Sequence, residues 1–179
     1  MNKKIILLAI ISVFLISCTK NDNEQIAPFD GEVKASDIVG TWTVTEFYTD
    51  NGSVDTKVAG VNVTANFKSK GKDFKNAKVI FSQNPDVVVS SGTFTNVTTV
   101  SYLAFSETEE KTESVLIAGN WSLKNNIVSI GANTTFLDYT IVEFSGNTLK
   151  LKYEYDENVE VISGYDGHAK ATIHITVTK

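Results

Sequence analysis

Leu149-Lys150-Leu151-Lys152-Tyr153-Glu154-Tyr155-Asp156 decides the fold class. Apolar and charged side chains alternate along it, and a period of two is the repeat of an extended strand, whose successive side chains leave opposite faces. One face suits a core and the other suits water, as in an antiparallel sheet covered on one side.

The same period runs outward in both directions. Phe136, Asp138, Thr140, Val142 and Phe144 alternate with Leu137, Tyr139, Ile141 and Glu143 upstream, in a strand that both faces can bury. Downstream, Ala169, Ala171, Ile173, Ile175 and Val177 oppose Lys170, Thr172, His174, Thr176 and Thr178. Val61, Val63, Ala65 and Phe67 oppose Asn62, Thr64 and Asn66. Turn signals punctuate these runs: Asp50-Asn51-Gly52, Ser69-Lys70-Gly71, Asn84-Pro85-Asp86, Ser90-Ser91-Gly92, Asn125-Asn126, Ser145-Gly146-Asn147 and Asp166-Gly167. Strands are expected at 41–48, 58–67, 76–83, 86–90, 93–105, 113–123, 126–131, 135–144, 148–155 and 168–178. No stretch sustains a helical period; Ser36-Asp37-Ile38-Val39 offers an N-cap and about one turn. The expectation is all-β: an antiparallel up-and-down β-barrel with a short N-terminal helical turn. An immunoglobulin-like β-sandwich is the rival, disfavoured because tight turns pair neighbouring strands in order.

Composition narrows the function. A 42% apolar share excludes a disordered chain. The net charge is -5 and every basic side chain is Lys, so no guanidinium fork exists to grip phosphate, and nucleic acid is not an expected partner. The single Cys excludes disulfides and thiolate zinc sites.

That cysteine has a better use. Lys3 and Lys4 precede an apolar run from Ile5 to Ile16, too short to span a bilayer and suited to a signal-peptide core. Leu15-Ile16-Ser17-Cys18 resembles the lipobox of bacterial lipoproteins, in which the cysteine is acylated and becomes the first mature residue. Residues 1–17 are then a lipoprotein signal peptide, 18–35 a lipidated Cys18 with a flexible polar tether, and 36–179 the barrel domain. Acyl chains on Cys18 attach the protein to a membrane, each buried CH2 contributing about 0.8 kcal/mol. Lys20, Asp22 and Glu24 resemble the export signal of outer-membrane lipoproteins of the Bacteroidota, so the expected location is the cell outer membrane.

The domain opens on Ile38-Val39-Gly40-Thr41-Trp42-Thr43-Val44, and Gly119-Asn120-Trp121-Ser122-Leu123 repeats the Gly-x-Trp pattern. Together with Val142-Glu143-Phe144-Ser145-Gly146-Asn147-Thr148-Leu149-Lys150-Leu151, these segments resemble the lipocalin-like domain of Bacteroidota lipoproteins over about residues 36–155. The resemblance implies a calycin-type barrel and no established reaction. The longer Asp86-to-Ser114 stretch and the tail after Asn158 depart from the family pattern.

Little catalytic chemistry stands out. His168 and His174 sit six residues apart, about 20 Å along a strand, too far to share a metal. Nucleophile elbows and phosphate loops are absent from the sequence. Glu107, Glu109, Glu110 and Glu113, in an expected loop, and Asp156, Glu157 and Glu160, after the Tyr153 strand, are acidic runs suited to solvent, or to Ca2+ or acid–base work. Lys68, Lys70, Lys72, Lys75 and Lys78 form an expected basic hairpin end. The barrel interior is the remaining candidate site, lined by Trp42, Phe67, Phe81, Tyr102, Trp121, Phe144, Tyr153 and Tyr155. A small barrel either fills its lumen with such side chains or holds one small ligand. The leading expectation is a non-enzymatic barrel, without cofactor, that binds a small apolar or amphipathic ligand. The alternative is a solid-core module that contacts another envelope protein through its loops.

Overall fold

The computed structural model describes residues 29–115, 117–132, 135–162 and 165–179. The expected signal peptide, Cys18 and most of the tether lie outside them.

After a helical turn α1 (Ala35–Ile38), nine strands follow in chain order: β1 (Gly40–Val58), β2 (Val61–Ser82), β3 (Val87–Tyr102), β4 (Phe105–Ser114), β5 (Gly119–Lys124), β6 (Ile127–Ala132), β7 (Thr135–Phe144), β8 (Thr148–Ile162) and β9 (Tyr165–Thr178). All belong to one antiparallel sheet. Each pairs with its chain neighbour, except that β4 and β5 follow one another along the same edge of β3, and β9 returns to β1 to close the ring. The up-and-down barrel is therefore the observed architecture. A sandwich needs two sheets with crossovers, and here one sheet closes upon itself.

The strands differ from expectation where bulges replace turns. Asp50-Asn51-Gly52 lies inside β1, with Asn51 at φ 51° and a register shift against β2 and β9 at this point. Ser69-Lys70-Gly71 and the whole lysine run lie inside β2, and Ser90-Ser91-Gly92 inside β3. A bulge inserts one residue, bends the strand and lets pairing continue, so Asp50-Asn51-Gly52 and Ser90-Ser91-Gly92, both at register shifts, do not end their strands. Ser69-Lys70-Gly71 pairs with Thr98, Val97 and Asn96 of β3 in unbroken register and is plain strand. The acidic stretch after Phe105 is likewise a strand, β4, and Asp156, Glu157 and Glu160 belong to β8. The helical turn starts two residues early: its N-cap is Lys34, whose N–H donates to the Asp37 carboxylate at 2.8 Å, so Ser36 is not its cap.

Strand lengths divide the barrel into two halves. β5 and β6 have 6 residues each, whereas β1 has 19 and β2 has 22. At about 3.4 Å per residue the long strands carry about 44–54 Å more strand than the short ones. One half is a closed ring. Beyond it, β8, β9, β1, β2, β3 and β4 continue as an open sheet with β8 and β4 at its edges.

The core fills the closed half. Trp42 and Val44 of β1, Val79 and Phe81 of β2, Val88 of β3, Trp121 of β5, Val128 of β6, Ile141 of β7, Leu149 and Leu151 of β8 and Val177 of β9 are all buried together. Ile38 of α1 caps this core from the end and is fully buried. Asn126 ties the entering chain to the same pole: its side-chain amide donates to the carbonyls of Phe29 and Gly31, and its carbonyl accepts the Val33 N–H at 3.1 Å. Residues 29–39 thus cross the closed pole before β1 begins.

Candidate functional site

The expected lining residues separate by height. Trp42, Phe81 and Trp121 are buried in the closed half, and Phe144 packs against them. Trp42 donates its indole N–H to the Ile38 carbonyl at 2.7 Å, and Trp121 donates to the Ser82 carbonyl at 2.8 Å. Phe81 and Trp121 meet edge to face, with ring centroids 5.4 Å apart, a favoured aromatic geometry. These four serve as packing.

Phe47, Phe74 and Phe94 form the upper layer of this core, with Phe94 at 5.1 Å from Phe47 and 5.7 Å from Phe74 between ring centroids. Above them the inner face belongs to the open half. Phe67 lies over Gly52, where no Cβ stands in its way. Tyr153 and Tyr155 continue the inward series of Leu149 and Leu151 on β8, and Tyr102 stands at the end of β3; all are only partly buried. The structure therefore brings Trp42, Phe81, Trp121 and Phe144 together, and leaves Phe67, Tyr102, Tyr153 and Tyr155 on a separate, open surface.

Tyr139 and Tyr153 touch at 5.4 Å between centroids, at the boundary of the two halves. Burial pushes the Tyr139 phenol up to about 12, because its anion would lose water without gaining a donor. Tyr153 is also raised, by burial and then by Glu157 and Tyr155.

The outer face carries a cluster that sequence reading missed. His174 is buried beneath Tyr48, the two rings stacked at 4.4 Å and 6°, and its Nε2 stands 3.3 Å from Asp50. Burial lowers the imidazole's pKa despite that carboxylate. The available signal was alternation: Tyr48 and His174 fall at facing register positions on the polar side of β1 and β9. Beside them lies an open depression of about 460 Å3, lined by Glu46, Tyr48, Asp50, Lys68, Lys70 and Thr99. A second, of about 450 Å3, lies at the closed pole around Gly31, Val33, Leu123 and Asn126.

The remaining charged candidates sit apart. His168 is held between Asp156 and Asn158 of β8, away from His174. Partial desolvation acts to raise the Asp156 pKa, but Lys170 and His168 outweigh it and hold the carboxyl below the ordinary range. Lys72 pairs with Glu110 at 2.7 Å on the outer face. Among the described residues, no group of three or more His, Cys, Asp or Glu is placed to hold a metal ion. No helix among them is long and apolar enough to cross a membrane.

The three most exposed large apolar side chains, Leu103 at 71%, Val61 at 59% and Phe105 at 53%, lie at the tips of the β1–β2 and β3–β4 hairpins, with Val100 nearby. Val89 of β3 and Phe136 and Leu137 of β7 are also exposed, away from those tips. β4 itself buries almost nothing: only Glu113 of its ten residues is even partly covered.

Comparison with protein-family models, with curated proteins and with solved structures finds no match to this chain.

Proposed function

We propose that the chain is a lipid-anchored, lipocalin-like module of the outer membrane whose work is binding, done by the open half of its barrel against another envelope protein. The observation that carries this is the division of the molecule. The closed half is filled by interlocked side chains around Trp42, whereas the open half exposes a whole strand and a set of apolar hairpin tips. Contiguous exposed apolar surface on a folded domain marks contact sites, and binding residues concentrate on loops held by a rigid scaffold.

The anchor leaves the open pole free. Acylation at Cys18 attaches the chain to the membrane, and the tether enters the domain across the closed pole at Phe29 and Asn126, at the opposite end from the β1–β2 and β3–β4 tips. The test is co-purification from native membranes. A stoichiometric protein should accompany the wild-type chain and be lost when Leu103 and Phe105 are replaced by Ser, with palmitate labelling of Cys18 intact. Retention of that partner by the double variant contradicts the reading.

A second reading has its own observation. Tyr153 and Tyr155 form a half-buried aromatic pair on the inner face of the open half, with Phe67 beyond two intervening strands of the sheet, which suits a small apolar or amphipathic ligand lying across it. Titration with fluorescent fatty acids tests it: saturable binding abolished by Tyr153→Ala and Tyr155→Ala together supports it, and its absence excludes it.

A further inference from the structure

We infer that the free edge of β4 accepts an extended, basic segment of a partner polypeptide as an added strand. This rests on the reading of the open half as a protein-contact surface and names the place and the chemistry of that contact.

The first observation is backbone. β4 pairs with β3 along one side, from Tyr102 opposite Phe105 to Thr93 opposite Ser114, and no strand among the described residues pairs with its other side. Leu103 and Ala104 make a two-residue turn, which places Tyr102 and Phe105 in a hydrogen-bonded pair. In an antiparallel ladder such pairs recur at every second residue. The Val115 N–H donating to Gly92 at 3.1 Å confirms the phase. Odd-numbered residues therefore bond to β3, and the peptide groups of Ser106, Thr108, Glu110, Thr112 and Ser114 point outward. Such a row is a template for strand addition.

The second observation is that nothing else accounts for the strand. β4 has no buried face, and strands without one are marginal in water, so its order depends on pairing with β3 and on the exposed Lys72–Glu110 ion pair to β2. A strand that adds nothing to the core and offers a full edge is arranged for a partner.

Charge selects the partner. On the inward side of β4, Glu107 and Glu109 form no ion pair among the described residues, whereas Glu110 is held by Lys72 and Glu113 lies 3.8 Å from Lys111. A second copy of β4 would set Glu against Glu and is disfavoured. An incoming strand with Lys at alternate positions would instead face Glu107 and Glu109, and its other face would meet Thr108 and Thr112. Phe105, at the hairpin tip, adds apolar contact.

The probe is a synthetic peptide alternating Lys with Thr and Val, with a Glu-for-Lys peptide as control, read by amide hydrogen exchange and NMR on the intact domain. The basic peptide should protect the even-numbered amides from 106 to 114 and leave β8 unchanged. Thr108→Pro with Thr112→Pro removes two outward N–H groups and no ladder bond, so it should abolish binding while the thermal midpoint holds. Glu107→Gln with Glu109→Gln keeps the strand and should weaken binding about tenfold. No binding at millimolar peptide, equal binding of the acidic control, binding unaffected by both variants, or β4-mediated self-association each overturns the inference. Protection confined to the β1–β2 tip or to β8 also overturns it, while leaving the open half as the contact surface.

Discussion

The Trp42 indole donates its hydrogen bond to the Ile38 carbonyl, 2.7 Å away, and both side chains are fully buried at the closed pole. The helical turn and the first strand are thereby locked together, and α1 becomes part of the core rather than a lid upon it. Lys179, the last residue, reaches back over the same indole at 4.5 Å, so both ends of the described domain meet there.

Removing the indole should therefore cost more than its area alone. Trp42→Phe keeps most of the apolar surface but leaves the Ile38 carbonyl buried without a donor, a loss of about 1–3 kcal/mol. Trp42→Ala adds a cavity and should reach about 3–5 kcal/mol. Urea unfolding monitored by circular dichroism gives both values, and a Trp42→Phe variant as stable as wild type would show that the bond contributes nothing.

Two glycines offer a graded test of the closed half. Gly119 has φ 144°, and a Cβ there would collide with the Gly131 carbonyl oxygen; Gly146 has φ 80° with open space around it. Gly119→Ala combines backbone strain of about 1–3 kcal/mol with a clash against main chain, whereas Gly146→Ala carries strain alone. The denaturation midpoint should fall further for Gly119→Ala. Equal shifts would mean that β5 is not pinned against β6 at that point.

Stability should depend on His174 at mildly acidic pH. Its folded pKa is lowered by burial, with Asp50, Glu46 and Glu154 opposing and Lys152 assisting. The unfolded chain then binds a proton that the folded one resists, so stability is full above about 6.5 and falls as pH drops through the folded value. Urea midpoints measured between pH 7.5 and pH 5 should decline, and His174→Gln should flatten that decline. A slope unchanged by the substitution would assign the effect to other groups.

At the alkaline end Tyr139 sets the limit. With its phenol raised to about 12, the folded protein keeps a proton that the unfolded chain releases near 10, so stability falls as pH rises between those values. Ultraviolet titration should show one tyrosine ionising last, and Tyr139→Phe should remove that late step. Ionisation of all tyrosines in a single step near 10 would place Tyr139 in solvent.

Alternation made the fold legible. Leu149 to Asp156 announces both the strand and its inward face, and Trp42, Phe81 and Trp121 are inward as their register expects. The bulges were not legible, because Asp50-Asn51-Gly52 has the same composition whether it ends a strand or kinks one. β4 was hidden for a different reason. Its inward positions carry Glu107, Glu109 and Lys111 instead of apolar residues, so no hydrophobic period marks it, and only pairing with β3 makes it a strand. The candidate lining was legible as inward-facing, but not as two groups, since the division follows from the shortness of β5 and β6.

The most direct measurement of where this protein works is site-specific photo-cross-linking in native envelopes, with the reactive residue placed in turn at Leu103 on the open pole and at Asn147 on the closed pole. One discrete protein adduct is expected from Leu103 and none from Asn147. A discrete protein adduct from Asn147 with none from Leu103 would contradict the reading of the open half as the contact surface.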